Sequence, residues 1–172
     1  TYQVLKAMLR AVPDLQLDRD HFMVISPDEG AMNRNMYYAS VLGVNLGMFY
    51  KRRDYSQVVN GRNPIVAHEY LGESVEGKDV FVADDIISSG ESMLDIAYAL
   101  KKQGAKRIFA NATYAIFTNG LDFFIIRAYF YIQAANIIGI FCISTTYAFE
   151  NLSIPVILVE AAAYRAGLAG VI

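Results

Sequence analysis

The 172 residues carry 55% hydrophobic and only 19% charged side chains, with a formal net charge of −2, a length that suits one domain with a sizeable core and is short for two. The lack of a basic excess excludes an electrostatic nucleic-acid footprint. The single cysteine, Cys142, excludes an internal disulfide, and His21 and His68 lack partners at metal-ligand spacing.

In chain order, "TYQVLKAMLRAV" sets Val4, Leu5, Met8, Leu9 and Val12 on one helical face, closed by Pro13. Nothing in this N-terminal stretch has the pattern of a signal peptide, so a cytoplasmic protein is expected. "HFMVIS" predicts a short apolar strand, "PDEG" a turn, and "AMNRNMYYASVLG" a helix stopped by Gly43. "NLGMFY" resumes as a strand and runs into "KRRDYSQVVNGRNP", a polar stretch with Gly61 and Pro64 that predicts a mobile loop or a hairpin, poorly ordered over 51–63 without ligand. "DVFVA" is the next strand. "SMLDIAYALKKQG" places Met93, Ile96, Ala97 and Leu100 on one helical face, and "RIFANAT" follows as another strand. Strands separated by helices imply an α/β fold, a mostly parallel sheet with helices on both faces.

In such a sheet ligands bind outside the carboxyl ends of the strands. "VFVADDIISSGES", residues 80–92, stands at one of these ends, with Asp84 and Asp85 expected to emerge after Ala83. Carboxylates there can accept hydrogen bonds from sugar hydroxyls or help to bind Mg²⁺. Ser88, Ser89, Gly90, Glu91 and Ser92 then offer hydroxyls, backbone N–H groups and a helix N-terminus, the ingredients of a phosphate cradle. A sugar phosphate would fit. An Asp-rich helix entry with Ser92 as N-cap accounts for the same residues, and the stretch alone leaves both readings open.

The stretch resembles the phosphoribosyl-diphosphate signature of type I phosphoribosyltransferase folds, and within them the C-terminal half of the ribose-phosphate diphosphokinase (PRPP synthetase) family. Three further stretches carry that resemblance. "VISPDEGAMNR" is similar to the family's diphosphate loop, "FYKRRDYS" to the basic start of its catalytic flexible loop, and "VEGKDVFVADDI" to the approach to its ribose-phosphate loop. The resemblance covers about residues 1–123. It implies Asp84 and Asp85 on the ribose side, Ser88 to Ser92 around the 5-phosphate, and Asp28, Glu29, Gly30 and Ala31 on the diphosphate side. Asp28 and Asp84 become the Mg²⁺ ligands, while Lys51 and Arg53 close over the transferring group. Glu91 departs from the pattern by placing a carboxylate in the loop, and Ala31 replaces a customary glycine.

The reaction implied is Mg²⁺-dependent diphosphate transfer from ATP to ribose 5-phosphate. The family's enzymes pair two homologous domains, and nothing here corresponds to the N-terminal one with its catalytic histidine, for which neither His21 nor His68 is a replacement. The partners expected are therefore ribose 5-phosphate or PRPP, with ATP only if a partner domain completes the site. A non-catalytic assembly module on the same scaffold and a base-using phosphoribosyltransferase are the competing readings, the latter lacking a recognisable hood for a nucleobase.

Residues 124–172 change character: of 15 basic and 17 acidic side chains, only Arg127, Glu150, Glu160 and Arg165 fall there. Ala128 to Phe149 is uncharged, yet Gln133, Asn136, Ser144, Thr145 and Thr146 interrupt it and no basic cluster flanks it, so no membrane span is expected. "NIIGIFCIS" and "PVILVE" read as buried parallel strands. "FFIIRAYFYIQAA" and "AAAYRAGLAGVI" have too few polar residues for exposed helices. The expectation is a single domain whose C-terminal part is core plus a homo-oligomer interface, built on Phe124, Ile125, Phe130, Tyr131 and the last helix. Redesign of a natural domain and natural divergence both remain open for this region.

Overall fold

The structure is a computed structural model that describes residues 2–53, 65–120, 137–145 and 157–160. Helix α1 (Tyr2–Ala11) turns Val4, Leu5 and Met8 onto the sheet, and Val12 continues the stripe just before Pro13. Strand β1 (Phe22–Ser26) is buried along its whole length, as a central strand covered on both faces must be. Helix α2 (Met32–Leu42) stops at Gly43, whose left-handed φ of 69° lets its N–H reach back to the last turn.

Strand β2 (Asn45–Arg53) runs longer than its apolar part, and β3 (Ile65–Leu71) returns beside it. Their antiparallel pairing is the hairpin alternative of the sequence reading. Lys51 pairs with His68 and Arg53 with Ile65, so residues 51–53 are strand rather than the start of a loop; residues 54–63 lie outside the described residues. Strand β4 (Asp79–Ile87), helix α3 (Glu91–Lys102) and strand β5 (Arg107–Ala115) follow as predicted in kind. The apolar C-terminal part supplies β6 (Ile137–Thr145) and β7 (Ile157–Glu160) to the same sheet, while the predicted helices around them, with Phe124, Ile125, Phe130 and Tyr131, lie outside the described residues.

The strand order is β3-β2-β1-β4-β5-β6-β7, parallel throughout except for the β2/β3 pair. Each face carries its own core. Val4, Leu5 and Met8 of α1 with Tyr38 and Ala39 of α2 cover Phe22, Val24, Phe81 and Phe109 on one side. Met93, Leu94, Ile96, Ala97 and Leu100 of α3 cover Ile25, Val80, Val82 and Ile108 on the other. The fold is therefore the expected α/β architecture with helices on both faces. Among the described residues no helix is long and apolar enough to cross a membrane.

At the amino ends of β4 and β5 a buried ion pair clamps the sheet. Arg107 donates to both oxygens of Asp79, Nε to Oδ1 at 2.8 Å and Nη2 to Oδ2 at 2.6 Å, and its Nη1 reaches the exposed Asp14 at 2.9 Å. The two-pronged geometry and the extra hydrogen bonds compensate for taking the charges out of water. His21 lies at this same end, against Asp18 at 2.8 Å, far from the acid pair.

Candidate functional site

The order of strands reverses between β1 and β4, where the chain leaves β1 toward β2 on one side and β4 leads to β5 on the other. That switch opens a crevice at the carboxyl ends of the strands. A cavity of about 220 Å³ lies there, lined by Pro27, Asp84, Ile86, Ile87, Ser88, Ser89, Gly90, Ser92, Met93 and Ile96. The fold thus brings Asp84 together with four residues of the 88–92 loop. Asp85 and Glu91 stand outside this lining, as do Asp28, Glu29, Gly30 and Ala31 in the turn before α2.

Asp84 and Asp85 lie within β4 rather than beyond it, because pairing to β5 continues to Ile87 opposite Ala115. The two carboxyls remain neighbours, with the Asp85 N–H donating to Asp84 Oδ1 at 2.8 Å. Asp84 is 26% exposed and Asp85 62%. Half-burial pushes the Asp84 carboxyl up to about 6, with the charges of Asp28 and Asp85 acting in the same direction. The Asp85 carboxyl is held below its ordinary value, chiefly by hydrogen bonding with Asp84 and further by the Arg34 guanidinium.

Arg34 escaped the sequence reading. From α2 its Nη1 stands 3.7 Å from Asp84 and its Nη2 3.8 Å from Asp85, close enough for attraction and too long for hydrogen bonds. Among the described residues, Nη1 is buried without a hydrogen-bond partner. The available signal was that Arg34 is the only charged residue of the helix "MNRNMYYASVL".

The 88–92 loop enters α3 through Gly90, whose φ of 87° a residue with a Cβ adopts only with strain. The N-cap position of the helix falls on Gly90, which has no side chain, and the Glu91 N–H donates to Ser89 Oγ at 3.4 Å, so the entry with Ser92 as N-cap is not what forms. Its first N–H groups face the crevice end, the arrangement that suits an anion. The turn after β5 anchors the loop: the Ile116 N–H donates to Ile87 O at 2.9 Å and the Thr118 N–H to Ser88 O at 2.9 Å. The sequence reading missed this support as well.

Across the crevice, the Ala31 N–H donates to the Asp28 carboxylate at 3.0 Å and the Ser26 hydroxyl to the Asp28 carbonyl at 2.7 Å. Both bonds hold the 27–31 turn in shape. Lys51 and Arg53 lie on β2 within the hairpin.

The implied Mg²⁺ can be tested against these donors. Among the described residues no group of three or more His, Cys, Asp or Glu side chains converges. Mg²⁺ commonly takes one or two protein carboxylates and completes its shell with water and phosphate oxygens. Asp84 offers a hard oxygen donor whose negative charge is disfavoured by burial, and Asp28 adds to that field. A divalent cation would relieve it, so the donor set fits the ion.

The profile of the phosphoribosyl transferase domain matches residues 4–129. Among curated proteins the chain is similar to ribose-phosphate pyrophosphokinase of Thermococcus kodakarensis, 39% identical over 98 residues, which is 57% of this chain and 32% of that protein. The corresponding protein of Ralstonia nicotianae is 36% identical over 101 residues, 59% of this chain and 30% of its own length. The match therefore spans about a third of these relatives. Among solved structures, phosphoribosylpyrophosphate synthetase from Mycobacterium smegmatis superposes with a TM-score of 0.58 at 20% identity, over 96% of this chain and 48% of that one. APRTase from Giardia lamblia, complexed with 9-deazaadenine, gives 0.55 at 14% identity over 84% and 78%. At these identities the superpositions speak for the fold.

Proposed function

The chain belongs to the phosphoribosyl transferase domain family, and on that premise we propose that the crevice between β1 and β4 binds ribose 5-phosphate or its 1-diphosphate, PRPP. The observation that carries this reading is the half-buried Asp84 beside a loop that enters α3 through Gly90: an acceptor for sugar hydroxyls set against backbone donors for a phosphate. Asp84 and Asp85 take the ribose hydroxyls and residues 88–92 the 5-phosphate. The turn of Asp28, Glu29, Gly30 and Ala31 faces the diphosphate. Mg²⁺ would be held by Asp28 and Asp84, where it supplies charge neutralisation for the phosphate oxygens. Lys51 and Arg53 meet the charge that develops on the transferring group.

The ancestral chemistry supported by the curated relatives' names is diphosphate transfer from ATP to ribose 5-phosphate. For this chain it is proposed only where a partner domain completes the ATP site. Incubation with ATP, Mg²⁺ and ribose 5-phosphate, assayed for PRPP and AMP, measures it. Binding is tested separately. Ribose 5-phosphate is expected to raise the melting temperature, and Asp85→Ala combined with Ser92→Ala to abolish the rise. Titration calorimetry showing undiminished binding in the double variant would place the ligand elsewhere.

The same proposal includes self-association in the cytoplasm. Its support is the scarcity of charge in residues 124–172, which leaves any helix formed there with an apolar face to cover.

A further inference from the structure

Beyond the Ile25 and Val82 pair, β1 no longer runs alongside β4. Ala83 is the next residue, one position before Asp84, and a side chain serves it. The Asn35 carboxamide accepts the Ala83 N–H at 3.2 Å and donates to the Ala83 carbonyl at 2.8 Å, so a residue of α2 bonds the backbone as a neighbouring strand would. Its amide nitrogen also donates to Ala31 O at 2.9 Å and lies 3.4 Å from the Ser26 hydroxyl, which in turn donates to Asp28 O. Asn35 and Ser26 are wholly buried.

Seating α2 does not require an amide, because Tyr38 and Ala39 already pack the helix against Phe81 and Ala83. A buried amide is costly unless its groups are paired. Here they are paired, and the partners belong to the two segments on opposite sides of the crevice. Resting on the reading of the crevice as a PRPP site, we propose that Asn35 is a positioning residue: it ties the 27–31 turn to β4 beside Asp84 and so sets the span across which one ligand is held at both its diphosphate and its ribose. A ligand that engages only β4 and the 88–92 loop should be indifferent to this tie. One that bridges to the turn should depend on it.

Two measurements on Asn35→Ala test this. In the free protein, amide hydrogen exchange followed by NMR should accelerate about tenfold at both Ala83 and Ala31 while Phe81 is unchanged. By calorimetry, affinity for PRPP with Mg²⁺ should fall about tenfold and affinity for ribose 5-phosphate by less than about twofold. A general loosening of the fold would weaken both ligands alike, and that result, or unaltered exchange at Ala31, overturns the proposal. Should the alanine variant not fold, Asn35→Ser keeps a hydroxyl able to bond the Ala31 carbonyl but too short to reach Ala83, and the same two readouts apply. A wild-type chain that binds neither sugar phosphate overturns the proposed function, while exchange at Ala31 and Ala83 still decides whether Asn35 joins the two segments.

Discussion

Asp84→Asn should change how stability depends on pH, with a sign opposite to that of an ordinary paired carboxylate. Burial raises the Asp84 carboxyl from 3.8 to about 6 in the folded chain. Between those values the folded state holds a proton that the unfolded state has released, so stability falls as pH rises through the window and levels off above it. At about 1.4 kcal/mol per unit, the ceiling is about 3 kcal/mol. Because 26% of the side chain remains exposed and Arg34 stands 3.7 Å away, about 1–2 kcal/mol is the expected effect. Asp14, Asp18 and Asp85 have lowered values, so their contributions are present above the ordinary carboxylate range and are lost as pH falls below it. They act below the Asp84 window. Urea unfolding of the wild type and the variant, at steps between about pH 4 and about pH 7, isolates the difference. The wild type should lose stability relative to the asparagine variant across that range. Parallel curves would refute the burial argument.

The clamp at the other end of the sheet gives a pair of contrasting outcomes in the same assay. Asp79→Ala strands the buried Arg107 charge and should cost about 3–5 kcal/mol, whereas Asp14→Ala, at an exposed position, should cost less than about 1 kcal/mol. Light scattering at micromolar concentration should report a species larger than the 19.1 kDa monomer. Phe130→Glu should return that species to the monomer without unfolding the sheet, and a variant that still assembles would move the interface elsewhere.

Much of the architecture was legible because its strands are covered on both faces. "FMVIS" and "VFVA" are continuous apolar runs for that reason. Strand β3 was missed: as an antiparallel edge strand it carries His68 and Glu69 among its apolar residues, and among the described residues its only sheet neighbour is β2. The ends of β2 and β4 were placed too early because polarity was read as the end of a strand. Backbone pairing carries both onward, through Lys51, Arg52 and Arg53 in one and Asp84 and Asp85 in the other. At the crevice, Asp84 and the 88–92 loop follow the apolar strand in the sequence, and the fold brings them together. Arg34, Asn35 and the turn after β5 could not be read from the sequence, since each acquires meaning from a backbone or carboxylate distant in the chain.

The ionic clamp and the residues at the crevice stand at opposite ends of one strand. Asp79 is the first residue of the nine-residue β4, and Asp84 to Ile87 are its last, a strand of about 30 Å by its rise per residue. Substitutions farther apart than about 7–10 Å generally combine additively. Changes in the 88–92 loop and changes around Arg107 should therefore neither mask nor amplify one another, so selection can explore new ligands at one pole while the other keeps the chain above its unfolding threshold. A scaffold divided in this way is free to diversify its chemistry without first becoming more stable.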